Sequence, residues 1–240
     1  FRFKEIKLRG GRDQRRRGVF ESNEYRQLYV FMRKWVNEAK KDLDEKTYLE
    51  RFLIRDCVLI GANTMLRVGE LWQLKWKDIK TIYEANTNTG KTVNIVELNV
   101  RAETSKVRVS RIVKSRGGEY FKRIRKRSNF TNRDDFIFTQ IESENRFRRE
   151  SFYKYWHELM EGAKIKDYKE RKLTWYSLRH YGITTRLRAE IDVTTLADIA
   201  GTSISQIEKH YGHIDSSMRD RAILKDPIYM PVGTEDVDWI

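Results

Sequence analysis

The sequence predicts an α+β fold that is mainly helical and contains a small antiparallel three-stranded sheet. Two observations support this prediction. Apolar residues recur at helical spacing over most of the chain, whereas three segments between residues 79 and 113 alternate polar and apolar residues as strands do. Both prolines, Pro227 and Pro231, lie near the C-terminus, so no proline interrupts the predicted helices.

The predicted elements follow one another without internal repeats. The first amphipathic helix begins near Ser22, whose hydroxyl can cap its N-terminus. The second helix spans Lys46 to Asn63. The strands are predicted at Ile79 to Tyr83, Val93 to Arg101 and Val107 to Val113, with an Asn-Thr-Asn-Thr-Gly turn at 86–90. After Gly117-Gly118, five further helices are predicted: Glu119 to Arg127, Ser151 to Ala163, Ser177 to Arg188, Thr194 to Ala200 and Ser203 to Tyr211.

The charge balance points to a phosphate-rich partner. The 240 residues include 49 Lys and Arg against 35 Asp and Glu, a formal net charge of +14. This imbalance is larger than solubility requires and is typical of nucleic-acid binding.

The remaining composition favours an intracellular protein. Cys57 is the single cysteine, so no intrachain disulfide is possible. It lies in an apolar run and is therefore expected in the core. No apolar run is long enough to span a membrane, and no signal-peptide pattern is present. Because the chain begins with Phe1 rather than methionine, we expect further residues to precede it.

Two arginines stand in helical motifs that suit phosphoryl transfer. Arg67 lies in Leu-Arg-Val-Gly-Glu-Leu, and Arg179 lies in Ser-Leu-Arg-His. Guanidinium groups stabilise a phosphorane-like transition state by paired, charge-assisted hydrogen bonds. Tyr211 follows in a polar setting between His210 and His213, where a phenol could attack a phosphodiester.

In this order, Arg67, Lys106, Arg179 and Tyr211 resemble the tyrosine recombinase (phage integrase) family, whose pattern is Arg, hairpin Lys, His-x-x-Arg, His or Trp, then Tyr. The resemblance covers residues 20 to 221. It implies the family's catalytic-domain fold and site-specific DNA cleavage and rejoining through a 3′-phosphotyrosine, without a metal or cofactor. It further implies double-stranded DNA as partner, a homotetramer on paired sites with a monomer possible without DNA, and a cytoplasmic, nucleoid-associated protein of prokaryotic or phage origin.

The resemblance also assigns roles to neighbouring residues. Lys106 is the expected acid for the leaving 5′ oxygen and is preferred to Lys114, because Arg-Ile-Val follows it at the family's hairpin spacing. Glu70, three residues after Arg67, is expected to orient a cation. His180 and His213 are assigned supporting roles; a metal site at His210 and His213 is disfavoured because no third ligand is suggested.

Two positions depart from the family pattern. Tyr176 stands three residues before Arg179, where the family has histidine, and Thr202 stands nine residues before Tyr211, where it has histidine or tryptophan. Each retains a hydroxyl that can hydrogen-bond a phosphate oxygen, but neither is an imidazole. The general base is therefore left open, as is a catalytically impaired DNA-binding module. A type IB topoisomerase-like enzyme with the same chemistry is a further alternative.

The chain is expected to divide into a basic interdomain linker at 1–20, the catalytic domain at 21–224 and a tail at 225–240. The linker's Arg15, Arg16 and Arg17 could track a DNA backbone, and a solvated tether is an equal alternative. Lys122, Arg123 and Lys126 form part of a basic run predicted to contact phosphates, against the alternative of a solvated helix surface. The apolar tail is expected to dock on a neighbouring protomer or on its own chain.

Overall fold

The computed structural model describes residues 18–211, and the structural statements below refer to that part of the chain. It contains eight α-helices, one 3-10 turn at Trp76–Asp78 and two small antiparallel sheets. The helices are α1 Ser22–Asp42, α2 Glu45–Thr64, α3 Val68–Trp72, α4 Gly118–Arg125, α5 Arg149–Gly162, α6 Trp175–Arg188, α7 Val193–Ala200 and α8 Ile204–Tyr211. The strands are β1 Ile79–Asn86, β2 Thr92–Val100, β3 Arg111–Arg116, β4 Thr139–Gln140 and β5 Ser143–Arg146.

The second helix lies at the centre of the fold. Residues 52–62 of α2 are almost all buried, because apolar side chains point outward around the whole helix. The helix accordingly packs against α1, α4, α5 and α6 and against β3. Cys57 is fully buried here, as its apolar surroundings predicted.

The three-stranded sheet has the order β1-β2-β3 with antiparallel pairing throughout. Its central strand alternates, and Val96, Leu98 and Val100 are buried in the core. Leu98 stands opposite Val113 of β3, so the two inward faces meet. This places the connection between β2 and β3, residues 101–110, at one end of the sheet.

The last two helices pack on a separate, smaller apolar cluster. Its buried members are Met65, Ile183, Leu187, Leu196, Ala197, Ala200 and Ile207, whereas the main core comprises most of the other buried apolar side chains of α1 to α6 and the sheet. Ile207 is the buried residue of α8. We call residues 193–211, which form α7 and α8, the nucleophile module because they carry Tyr211, the nucleophile that the sequence predicts.

The predicted fold class is confirmed, with corrections at three elements. Helix α1 begins at Ser22 as predicted, but its N-cap is Glu21, whose backbone N–H donates to Glu24 Oε2 at 2.9 Å. The third strand begins at Arg111 rather than Val107. Val107 and Val109 alternate like strand residues, yet they are 58% and 62% exposed in a chain of turns with no core beneath them. The β4–β5 hairpin was not predicted, since its sequence is short and polar.

Candidate active site

Arg67 is fixed at the start of α3 by the carboxylate of Glu70. The backbone N–H of Arg67 donates to Glu70 Oε2 at 2.9 Å, and Arg67 Nη1 donates to Glu70 Oε1 at 2.9 Å. The same carboxylate thus caps the first turn of the helix and orients the guanidinium. Arg67 Nη2 donates to the carbonyl oxygen of Gly201 at 2.6 Å, which ties the site to the nucleophile module.

Glu70 is 2% exposed and also binds Arg111, the first residue of β3. Arg111 Nη1 and Nη2 donate to the two carboxylate oxygens at 3.1 and 2.8 Å, a bidentate pair. Burial alone would raise the pKa of Glu70, but the hydrogen bonds and charges of Arg111 and Arg67 outweigh it and hold the pKa below its ordinary value. Glu70 is therefore a buried anion shared by two cations.

Gly201 makes this arrangement possible. It ends α7 in the left-handed conformation with φ 60°, which favours glycine. A Cβ on Gly201 would lie 2.3 Å from Arg111 Nε, so any side chain here would displace Arg111. The carbonyl that accepts from Arg67 and the surface on which Arg111 packs are thus supplied by the same residue.

Arg179 lies at the close contact of α6 with α2. A Cβ on Gly182 would be 2.3 Å from the carbonyl oxygen of Ala62, so glycine permits this approach. Arg179 is 3% exposed, and its Nη1 donates to the carbonyl oxygen of Met65 at 2.5 Å. Burial, followed by the like charge of the nearby Arg67, lowers the pKa of the Arg179 guanidinium. We call Arg67, Glu70, Arg111 and Arg179 the arginine frame.

Tyr211, the last residue of α8, reaches the same site. Its hydroxyl lies 2.5 Å from Nδ1 of His180, although the residues are 31 positions apart in sequence. Burial raises the pKa of Tyr211, Arg179 acts in the opposite direction and Tyr176 adds a smaller upward effect. The phenol is therefore protonated at neutral pH, and the cation that favours its phenolate belongs to the arginine frame.

Tyr176 and Thr202, the two positions at which the sequence departs from the expected pattern, have different surroundings. Tyr176 packs edge-on against the His180 ring, with ring centroids 4.9 Å apart at 69°. Thr202 follows Gly201, is partly buried, and donates its backbone N–H to the carbonyl of Ala197 at 2.9 Å. Both come from segments that also carry frame contacts.

These elements occur in the order that the sequence resemblance requires, and a family comparison decides the assignment. The model of the phage integrase family matches residues 19–218. The chain belongs to the phage integrase family. No match is found among curated proteins.

Solved structures of tyrosine recombinases have the same fold. The XerH site-specific recombinase bound to its difH substrate has a TM-score of 0.61 at 16% identity over 86% of this chain. The Tn1549 transposon integrase in complex with circular intermediate DNA gives 0.55 at 15% over 89%, and XerA recombinase gives 0.53 at 20% over 92%. The chain spans 53% of the XerH chain, 69% of the Tn1549 chain and 68% of the XerA chain.

Lys106 lies in the β2–β3 connection of this integrase-family domain, in a turn and exposed. The connection is anchored at its base, where Arg101 Nε pairs with the buried carboxylate of Asp78 at 3.0 Å and Arg101 Nη2 donates to the carbonyl of Gln73. Lys114, the alternative acid, pairs across the sheet with Glu97 at 3.1 Å. Among residues 18–211, no contact found in the structure joins Lys106 to the arginine frame.

The predicted DNA-contacting residues have different surroundings. Lys122 is exposed and its Nζ donates to Asn94 Oδ1 at 2.6 Å, whereas Lys126 is exposed. Arg123 pairs with Asp56, which is fully buried, at 2.7 Å. Arg123 therefore neutralises a core carboxylate, a role that the basic run did not suggest. Arg15, Arg16, Arg17 and His213 lie outside the described residues.

A basic groove of about 690 Å³ opens beside the site. Its lining includes Tyr176 and the α3 residues Val68 and Gly69, which follow Arg67 in the sequence. Three arginines and several aromatic residues also line it: Arg146, Arg148, Arg149, Trp72, Phe147, Tyr153 and Trp175. Along residues 18–211, no group of three or more His, Cys, Asp or Glu side chains could hold a metal ion. No helix in the same range is long and apolar enough to cross a membrane.

Arg111 is a residue of the candidate site that sequence reasoning missed. It served only as a spacing marker for Lys106, because its pairing with Glu70 joins residues 41 positions apart. The sequence contained one signal. Glu70 was predicted to orient a cation, and its carboxylate can bind a second cation besides the neighbouring Arg67.

Proposed function

We propose that this chain is the catalytic domain of a site-specific DNA recombinase that cleaves and rejoins strands through a 3′-phosphotyrosine on Tyr211. One observation carries the proposal: the Tyr211 phenol and two arginines, Arg67 and Arg179, meet at one site although they come from three separate helical regions. A nucleophile beside two guanidinium groups is the equipment for in-line attack on a phosphodiester.

In this mechanism Arg67 and Arg179 hold the non-bridging oxygens of the scissile phosphate. Charge grows on those oxygens in the transition state, where preorganised cations stabilise it without further rearrangement. Glu70 keeps Arg67 in position through two hydrogen bonds. The hydroxyls of Tyr176 and Thr202 would add neutral hydrogen bonds to the phosphate at the positions of the family's imidazoles.

Lys106 is proposed as the acid that protonates the leaving 5′ oxygen. An alkoxide is a poor leaving group, so a proton donor contributes about 10²–10⁴-fold. An exposed lysine on an anchored turn suits a group that reaches the cleaved strand once DNA is bound. His213 is proposed as a companion of Tyr211.

Double-stranded DNA is the proposed partner. The net charge of +14, the basic groove and the exposed Lys122 and Lys126 all favour a polyanion. The Tn1549 integrase structure is a complex with circular intermediate DNA, and the XerH recombinase is bound to its difH substrate, which supports the same class of partner here. We propose assembly as a homotetramer on paired sites, without a metal or cofactor, at the DNA of a prokaryotic cell or phage host.

The domain division proposed is a basic linker at 1–20, the catalytic domain at 21–224 and a C-terminal tail at 225–240. The arginines of the linker would contact the DNA backbone between domains.

A DNA-binding module that has lost catalysis is the second candidate, favoured by Tyr176 and Thr202 in place of imidazoles. Covalent trapping on a nicked suicide duplex separates the two. An active recombinase domain gives a denaturation-resistant protein–DNA adduct that persists in excess EDTA. Tyr211→Phe should abolish the adduct while leaving duplex binding unchanged, since only the attacking oxygen is lost. An adduct at the wild-type level in Tyr211→Phe would reject Tyr211 as nucleophile, and no adduct in the wild type would favour the binding module.

A further inference from the structure

Attack by Tyr211 requires an acceptor for its phenolic proton, and a histidine nitrogen lies beside the Tyr211 hydroxyl. We propose that Nδ1 of His180 accepts the Tyr211 proton during cleavage and returns it when the strand is resealed, acting as the general base of the reaction. This inference rests on the proposed function and names a role that the motif pattern leaves unfilled.

The distance is the first support. Nδ1 of His180 and the hydroxyl oxygen of Tyr211 are 2.5 Å apart, a short hydrogen bond that leaves no room for a water molecule between base and nucleophile. Acceptance at Nδ1 requires the neutral tautomer with its proton on Nε2. The proposed nucleophile and its base are thus hydrogen-bonded to each other without a bound substrate.

The chemistry of the alternatives is the second support. A general base works best when its pKa lies near the working pH, which for imidazole is about 6.5. The hydroxyls of Tyr176 and Thr202 are far weaker proton acceptors than imidazole. His180 places an imidazole one helical turn after Tyr176, on the same face of α6, and directly after Arg179 in the sequence.

The surroundings of His180 fix its ring. Tyr176, four residues earlier on α6, packs edge-on against it at 4.9 Å between centroids. His210 of α8 lies on another side, with centroids 6.4 Å apart at 62°. The titratable and charged groups near the pair include Tyr176 and Arg179 from α6 and His210 from α8. Arg67, at the start of α3, lies near Arg179.

The step balances without another reagent. The Tyr211 O–H bond breaks as its oxygen bonds phosphorus, and the proton passes to Nδ1 of His180. The bond from phosphorus to the 5′ oxygen breaks, and that oxygen takes a proton from the proposed acid, Lys106. Resealing runs the same transfers in reverse. Because burial favours the protonated phenol, attack without an acceptor would be slow.

The test is the single-turnover rate of adduct formation on a suicide duplex, measured against pH. The wild-type rate should fall about tenfold per pH unit below the histidine range, because His180 is then protonated. His180→Gln should lower the plateau rate by about 10²-fold or more and remove this acid limb. Added imidazole should restore part of the rate in His180→Ala.

His157→Gln is the matched control. Nδ1 of His157 also lies near a tyrosine hydroxyl, that of Tyr168 at 3.1 Å, but on α5 and outside the site. This variant should keep both the rate and the acid limb. Duplex binding by His180→Gln should equal that of the wild type.

Three results would overturn the proposal for His180 alone: a wild-type rate and pH profile in His180→Gln, a slow His180→Gln that keeps the acid limb, or loss of that limb in His210→Gln instead. Failure of the proposed function is distinct, because the wild type would then form no adduct or Tyr211→Phe would still form one.

Discussion

The arginine frame and the nucleophile module differ in how extensively the surrounding core buries them. The frame lies over the main core, where Glu70 and Arg179 are 2% and 3% exposed and hydrogen-bond to charged groups or backbone. The module packs on the smaller cluster, to which α8 contributes the buried Ile207. Few buried contacts correspond to low local stability. The phosphate-binding half is therefore preorganised by the fold, while the position of Tyr211 is the more easily disturbed.

The largest expected effect comes from removing a cation of the frame. Arg179→Ala should slow adduct formation by about 10²–10³-fold or more, because one stabilising group for the phosphate is lost. Arg179→Lys should recover only part of the rate, since ammonium cannot form the bidentate fork. Single-turnover cleavage measures both, with duplex binding as control. Near-normal cleavage by Arg179→Ala would show that Arg179 does not stabilise the scissile phosphate.

A smaller effect should follow from loosening the module. Ile207→Ala removes the buried side chain of α8, and truncating such a residue to alanine destabilises a protein by about 2–5 kcal/mol. Cleavage should fall about tenfold or more, with faster hydrogen exchange in residues 193–211 and unchanged duplex binding. Ile204→Ala, on the same helix but 41% exposed, is the matched control and should cleave normally. Equal exchange in the two variants would contradict the difference between the regions.

The smallest effect on catalysis is expected at Glu70, where the readout is stability against pH. The folded-state pKa of Glu70 is lowered, so its contribution is present above the unfolded value, about 4.3, and is lost as pH falls through the folded value. Glu70→Gln should be less stable than the wild type by about 1–3 kcal/mol at pH 7. Denaturant unfolding across pH should show this difference shrinking in acid. A constant difference would mean that the charge on Glu70 contributes nothing.

Local signals predicted most of the fold. The helices α1, α2 and α4 to α8 and the strands β1 and β2 lie close to their predicted ranges, because the placing of apolar residues in the sequence, including the long apolar run of α2, marks these segments. The exception in the sheet is informative. Val107 and Val109 have the alternating pattern of a strand but remain exposed. Only the tertiary structure reveals that they have no core to cover.

The site was predictable where a motif names the residue and not where a contact joins distant segments. Arg67, Arg179 and Tyr211 stand in motifs, and the structure brings them together. The bidentate pair of Arg111 with Glu70 and the approach of His180 to Tyr211 depend on packing between separate elements. The ion pair of Arg123 with Asp56 is of the same kind, since a run of basic residues does not reveal a buried carboxylate.

The most direct test of the account identifies the amino acid that carries the DNA. The adduct formed on a suicide duplex would be digested with nuclease and protease, and the modified peptide sequenced by mass spectrometry. Tyr176 and Tyr211 both lie in the site, so the experiment distinguishes two phenols. The account predicts a nucleotide 3′-phosphate on Tyr211 and a free 5′-hydroxyl on the released strand. Phosphate on Tyr176 or on a serine, or a 5′-phosphate linkage, would contradict it.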